Sequence, residues 1–179
     1  MMTSGLNCQP NGGRETMRAT YQQYLVPNLV SITNCPYYWG SLDRFEAEAI
    51  LNEAKKEGSF LLRDSSHADY IFSVSFRRYN RSIHARIEES HHRFTFDSQD
   101  PGVFSSQSIQ TLIRYFMDPR KCMVFDPMLV YPIHRKHPLS LRSLSRAVIC
   151  DSLRYQDISA LELPTSLKDF LTVYSYTSS

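Results

Sequence analysis

An α+β fold is predicted, with a central antiparallel sheet flanked by two helices and followed by three short C-terminal helices. Three observations predict it. Apolar spacing is helical, then alternating, then helical again between Asp43 and Phe116. Beyond Pro138 the chain changes to short amphipathic stripes. The apolar run Phe60-Leu61-Leu62 ends on Arg63, a charge placed where a strand finishes inside a domain.

Residues 15–35 carry a short helical signal in which Tyr21, Tyr24 and Leu25 share one face and Pro27 ends the run. Such a short helix has to pack on something. Asp43 is placed as an N-cap with Glu46 at the third helical position, a reciprocal capping pair. Ala47, Ile50, Leu51 and Ala54 follow with one-face helical spacing, and Gly58 is the expected stop. Strands are predicted over 59–63, 70–77 and 82–88. Phe72, Val74 and Phe76 share one face of the second; Ile83, Ala85 and Ile87 share one face of the third, which throws His84 and Arg86 together onto the other. Arg78 to Arg81, with Asn80, reads as a hairpin turn. A short strand at 93–96 adds to the edge, and Ser98 to Ser106 is loop around Pro101-Gly102. Ile109, Leu112, Ile113 and Phe116 restore the helical spacing until Asp118-Pro119. Residues 120–133 are apolar and proline-bearing, without a period.

In the C-terminal region Leu141, Leu144 and Val148 lie on one helical face with Ile149 beside them. A weak second helix covers about 153–161, and Leu167, Phe170, Leu171 and Tyr174 form a third stripe after Pro164. Segments under about 40 residues seldom fold alone. Part of this apolar surface therefore has to meet the first domain or another protein.

Composition narrows the functional classes. With 20 basic and 18 acidic residues the net charge is +2, so bulk charge points to neither nucleic acid nor membrane, and any anion site has to be local. The four cysteines, Cys8, Cys35, Cys122 and Cys150, form no CxxC pair. Reduced thiols and a cytoplasmic location fit better than a zinc ribbon or a disulfide framework. The six glycines build no phosphate-cradling loop, and no cysteine has the arginine spacing of a tyrosine phosphatase loop, so no catalytic residue, cofactor or metal is expected. His91-His92 reads as an exposed turn. No apolar run reaches transmembrane length, and residues 1–20 lack a signal-peptide core. Residues 1–16 are expected to be disordered or a tag.

Arg63 is the residue that calls for a function. A buried cation is costly unless an anion compensates it. No acid lies on its own strand face, and Asp64-Ser65-Ser66-His67 follow as a loop of hydroxyls and backbone N–H groups. A guanidinium fork beneath such a loop is a socket for phosphate; pairing with a distant acid is the structural alternative. His84 and Arg86 on a neighbouring strand, and Arg44 at the start of the first long helix, converge on the same pocket if the sheet packs as read.

Tyr38-Trp39-Gly40, the helix with Arg44 and Glu46, Phe60-Leu61-Leu62-Arg63-Asp64-Ser65 and Ile83-His84-Ala85-Arg86 resemble a Src-homology-2 domain over residues 37–133. The resemblance implies that Arg63 takes a phosphate bidentately and that Arg44 contacts phosphate and tyrosine ring. It further implies that Ser65 and Ser66 belong to the phosphate loop, and that His84 and Arg86 flank the ring. It places the groove for the following peptide residues between loops 97–106 and 118–131. The tail, residues 134–179, resembles the SOCS box of the suppressors of cytokine signalling. Ser140-Leu141, Ser145 and Ile149 match its Elongin C-binding pattern, with Leu144 and Val148 on that helix. Leu161-Glu162-Leu163-Pro164 followed by Leu167 is similar to the segment that selects a cullin-5 scaffold. Glu162 replaces the first proline of the usual Leu-Pro-x-Pro motif, which bears on cullin affinity rather than on Elongin binding. Residues 17–36 are similar to the extended helix that precedes the domain in the subgroup with long N-terminal extensions. The implied protein is a non-enzymatic substrate receptor of an Elongin B/C, cullin and RING ubiquitin ligase that damps cytokine or growth-factor signalling. The alternative is an adaptor that inhibits by occupying phosphotyrosine sites.

Overall fold

Strand β2 (Ser59–Asp64) runs through the middle of the molecule, buried along nearly its whole length, and everything else is arranged about it. The computed structural model describes residues 23–124 and 126–177. The expectations for residues 1–16 and for a helix over 17–22 lie outside these. Strand β2 pairs antiparallel with β3 (Phe72–Arg78), which pairs antiparallel with β4 (Arg81–Ser90) and through it with β5 (Arg93–Thr95). Tyr79 and Asn80 close the β3–β4 hairpin with φ of 54° and 57°, and the Glu57 carboxylate accepts both of their backbone N–H groups. The predicted α+β class is the one observed.

Helix α2 (Arg44–Ala54) covers one face of the sheet. Its start follows the sequence: the Asp43 side chain accepts from Glu46 N at 2.8 Å, and the Glu46 carboxylate accepts from Asp43 N at 2.9 Å. Ala47 and Leu51 turn inward and are fully buried, as is Leu61 of β2. The other face carries Phe60, Leu62, Phe72, Val74 and Phe76. They pack against Ile109, Leu112, Ile113 and Phe116 of helix α3 (Ile109–Phe116) in one apolar cluster.

Three local expectations are corrected. Residues 23–25 are not helical: Gln23–Leu25 form strand β1, which pairs antiparallel with the C-terminal β7 (Ser175–Thr177), Tyr24 opposite Tyr176. A partner some 150 positions away leaves no trace in local periodicity, and the backbone before Pro27 is biased toward extended geometry. The helix here comes after the proline, as α1 (Leu29–Asn34). Gly58 is not the stop of α2; Lys55, at φ 52°, ends it. Gly58, at φ 78°, is instead where residues 128–131 cross: its carbonyl accepts from Val130 N and Tyr131 N at 2.9 Å, and a Cβ there would lie 3.1 Å from the Val130 side chain. Finally, the sheet is not antiparallel throughout, because strand β6 (Tyr131–Pro132) lies parallel to β2. Two residues, one of them proline, are too few to show a strand period.

The C-terminal region contains α4 (Leu141–Ser152), a 3₁₀ helix (Tyr155–Ala160) and α5 (Thr165–Thr172). Ala147, Cys150, Ile158, Leu171 and Tyr174 join Val26, Leu29 and Ile32 in the same cluster as the sheet core. Of the two expected ways to bury these stripes, on the first domain or on another protein, the first accounts for these residues. Helix α1 has no local cap; Asp151 of α4 supplies it, accepting from Leu29 N at 2.6 Å and Val30 N at 2.8 Å. The joint is polar at its centre. Asp64, at the end of β2, accepts from Tyr38 Oη at 2.6 Å and from Tyr174 Oη at 2.9 Å. Arg146 of α4 donates to the same Tyr174 hydroxyl at 2.7 Å, and its guanidinium stacks between Phe170 and Tyr174. Burial pushes the Asp64 carboxyl above its ordinary range, and the Tyr38 and Tyr174 hydroxyls oppose the rise.

Tyr174→Phe keeps the ring stacks and removes the hydroxyl shared by Arg146 and Asp64. The expected loss is about 1–3 kcal/mol of unfolding free energy, the usual cost of orphaning a buried polar group. Urea denaturation reads it, and an unchanged midpoint at unchanged slope would show that the hydroxyl contributes nothing.

Candidate functional site

Arg63 is 3% exposed although it is the fifth residue of a six-residue strand. Strand alternation turns it toward α2, away from the Phe60 and Leu62 face. Its Nε donates to Ser75 Oγ at 3.0 Å, the diagonal neighbour on β3. Its Nη1 donates to the Asp64 carbonyl at 3.0 Å and to Ser66 Oγ at 3.2 Å. Among the described residues no carboxylate forms an ion pair with it, and Nη2 has no hydrogen-bond partner. Burial lowers the guanidinium's proton affinity from its ordinary value; Asp43 and Asp64 oppose this at longer range, and Arg44 adds to it. The local acid that a structural pairing requires is therefore not found among the described residues, and the side chain opens onto a cavity of about 920 Å³.

Five further predicted residues line that same cavity: Arg44, Ser65, Ser66, His84 and Arg86. Arg44, in the first turn of α2, is mostly exposed and donates from Nε to Glu48 at 2.9 Å. Ser66 reaches Arg63 directly, whereas Ser65 Oγ accepts from His67 N at 3.1 Å and shapes the turn after β2. His84 lies below the surface of β4, with Nδ1 2.8 Å from Ser75 Oγ and Nε2 3.1 Å from Glu48 Oε1. Burial lowers its proton affinity, Glu48 raises it, and the two nearby arginines lower it further. Arg86 is exposed at the rim, its guanidinium 5.2 Å from the centre of the Tyr70 ring. The arrangement can hold an anion of more than one charge against an aromatic-sized ring.

Two participants are absent from the sequence reading, Glu48 and Ser75. Both had a signal. Glu48 stands four residues after Arg44 and so shares its helix face; Ser75 alternates onto the face of Ser73 and away from Val74. Neither residue type marks an anion site, so neither stood out.

The second predicted surface divides. Leu141 and Val148 of α4 are 82% and 56% exposed, and Ser145 stands out with them; Leu144 and Ile149 are half-buried. Arg146, Ala147 and Cys150 occupy the inward face. Leu141 is thus no core residue. Beyond it, Leu161 and Leu163 are partly buried, Pro164 stands just before α5, and Leu167 is 39% exposed. In the loop after α3, Met123 and Val124 are exposed, while Phe104 stacks on Tyr115 with centroids 3.9 Å apart. His91 and His92 form the β4–β5 turn at φ 51° and 60°. Among the described residues no group of three metal-ligating side chains gathers. Cys150 is buried, and that burial raises its thiol to about 11, the environment of a packed thiol. No described helix is long and apolar enough to cross a membrane.

Known proteins share much of this sequence. Residues 37–116 match the family model of the SH2 domain and residues 137–172 that of the SOCS box. Suppressor of cytokine signaling 5 of Homo sapiens is 53% identical over 156 residues, covering 87% of this chain and 29% of that protein. Suppressor of cytokine signaling 4 of Homo sapiens is 51% identical over 158 residues, covering 88% of this chain and 36% of that protein. The chain thus spans about a third of the length of these relatives. The SH2 domain of human proto-oncogene protein VAV1 aligns at 16% identity with a TM-score of 0.46, over 78% of this chain and 94% of that domain. Fold and matches together define a protein that carries a Src-homology-2 domain followed by a SOCS box. Over most of its length the chain is homologous to suppressors of cytokine signaling 4 and 5.

Proposed function

We propose that this chain is the substrate-recognition subunit of an Elongin B/C ubiquitin ligase of the cullin-5 type, capturing phosphotyrosine targets from the cytoplasm. The observation that carries the reading is Arg63: a buried guanidinium with no carboxylate partner among the described residues, open to a cavity rimmed by Arg44 and Arg86. A phosphotyrosine brings about −1.5 to −2 charge at neutral pH and three acceptor oxygens, the complement this site lacks. Arg63 takes two phosphate oxygens through its fork, Ser65 and Ser66 with the loop N–H groups meet a third, and Arg44 closes from the helix. His84 and Arg86 flank the ring. In this reading residues 37–133 form the capturing domain and 134–179 the ligase-docking box.

On the box, Leu141, Ser145 and Val148 present an exposed stripe to Elongin C, with Leu144 and Ile149 at its margin. Leu161, Leu163, Pro164 and Leu167 face the cullin. The chain supplies no chemistry of its own; it raises the effective concentration of the target beside the recruited ubiquitin-charged enzyme. The buried joint at Asp64 and Arg146 supports this role, because a firmly packed receptor presents its target at a defined place. The target is then degraded and tyrosine-kinase signalling is damped. A second reading, inhibition by occupancy alone, is favoured by one residue: Glu162 stands where the cullin motif has its first proline.

A phosphotyrosine peptide array probed with the chain should show binding that disappears for the unphosphorylated peptides. Arg63→Ala should weaken the retained peptides by two or more orders of magnitude, in line with about 3–5 kcal/mol for breaking a buried charge pair. Arg63→Lys should restore only part of this, having one ammonium and no fork. Near-unchanged affinity on calorimetry would remove Arg63 from its role.

Leu141→Asp changes a side chain that is 82% exposed, so the fold should survive it. Co-expression with Elongins B and C should yield a ternary complex for the wild type and none for the variant, with phosphopeptide binding retained. A wild-type chain that is soluble alone and ignores both Elongins would establish the occupancy reading instead.

A further inference from the structure

Behind two residues of the cavity wall, Arg44 and His84, stands a carboxylate that a phosphate site does not call for. Glu48 Oε1 accepts from Arg44 Nε at 2.9 Å and lies 3.1 Å from His84 Nε2. His84 Nδ1 lies 2.8 Å from Ser75 Oγ, and Ser75 Oγ accepts from Arg63 Nε at 3.0 Å. Carboxylate, imidazole, hydroxyl and guanidinium thus form one chain of contacts from α2 across β4 and β3 to β2. One assignment of protons satisfies every link. Arg63 donates to Ser75, Ser75 donates to Nδ1 of a neutral His84, and His84 donates from Nε2 to Glu48. Burial of the imidazole favours that neutral ring.

We propose that Glu48 is a positioning residue for phosphotyrosine, acting through His84 and Ser75 to hold the Arg63 fork and directly to hold Arg44. This inference rests on the phosphotyrosine reading. With Nε committed to Ser75 the plane of the Arg63 guanidinium is held; Nη2 is open to one phosphate oxygen, and Nη1, which here donates to the Asp64 carbonyl and Ser66 Oγ, is the second arm of the fork. With Nε committed to Glu48, Arg44 keeps both of its Nη groups available. The carboxylate is itself 32% exposed, so its charge is screened by water and by the two groups it receives from. Its orienting bonds therefore outweigh its repulsion of a phosphate. The Arg44 and His84 bonds hold Glu48 itself below the ordinary carboxyl range, so it stays an acceptor throughout the neutral range. What matters is an acceptor oxygen at this place more than a negative charge.

The test is a two-dimensional NMR titration with N-acetyl-phosphotyrosine amide. Glu48→Ala should weaken binding by about tenfold, the effect of losing one charge-assisted orienting bond. Glu48→Gln keeps a carbonyl oxygen in place and should stay within about threefold of the wild type. Long-range proton–nitrogen spectra should show His84 as the Nε2–H tautomer in the wild type and Glu48→Gln, and as a tautomer mixture in Glu48→Ala. Equal or tighter binding by Glu48→Ala would overturn the proposal, as would an Nδ1–H tautomer in the wild type, which needs no variant to fold. Arg63→Ala separates the two levels. If it binds normally, the phosphotyrosine reading fails; if it loses binding while Glu48→Ala does not, only the positioning role fails.

Discussion

A β-strand sends consecutive side chains to opposite faces, and at the end of β2 this separates two adjacent charges, Arg63 and Asp64. Arg63 turns under α2 into the open cavity; Asp64 turns the other way into the joint with the C-terminal helices. A buried ion pair between the two would have satisfied both and left nothing to do. Kept apart, each needs partners from elsewhere, and the rest of the structure supplies them. Serine hydroxyls and a carbonyl hold the arginine without neutralising it. Two tyrosine hydroxyls and a distant arginine hold the aspartate.

The same division explains why the box and the sheet domain share one core. The C-terminal stripes are too short to bury themselves, and Ala147, Cys150, Leu171 and Tyr174 complete a cluster that already contains Leu29 and Ile32. Polar contacts then set the alignment: Asp151 caps α1, and Arg146 meets Asp64 through the Tyr174 hydroxyl. A polar joint of this kind defines orientation more sharply than apolar contact, because each group is satisfied in one geometry only. The outward face of α4 is left free by that arrangement, with Leu141 and Val148 exposed.

Local chemistry was readable wherever its partners lay close in sequence. The Asp43–Glu46 capping box, the Tyr79-Asn80 hairpin and the α3 stripe all depend on residues within a few positions of one another. Reading failed where a partner lay far off. Strand β1 looked helical because Tyr21, Tyr24 and Leu25 have helical spacing; what makes Tyr24 and Leu25 extended is Tyr176 and its neighbours in β7. Strand β6 looked like loop because two residues, one of them proline, show no period, and its partner β2 lies far back along the chain. Gly58 looked like a helix stop because glycine serves both purposes, and only the approach of Val130 shows which.

The candidate site divides along the same line. The cation at the end of an apolar strand, the hydroxyl loop after it and the pairing of His84 with Arg86 on one face are legible from the residues alone, since strand alternation and neighbouring residues suffice for these. Folding in three dimensions settles the rest: no described acid neutralises Arg63, Glu48 and Ser75 stand behind it, and Leu141 points to solvent while Arg146 points inward. Those outcomes depend on which surfaces meet after folding, and a contact between residues far apart along the chain is set by packing rather than by any local preference.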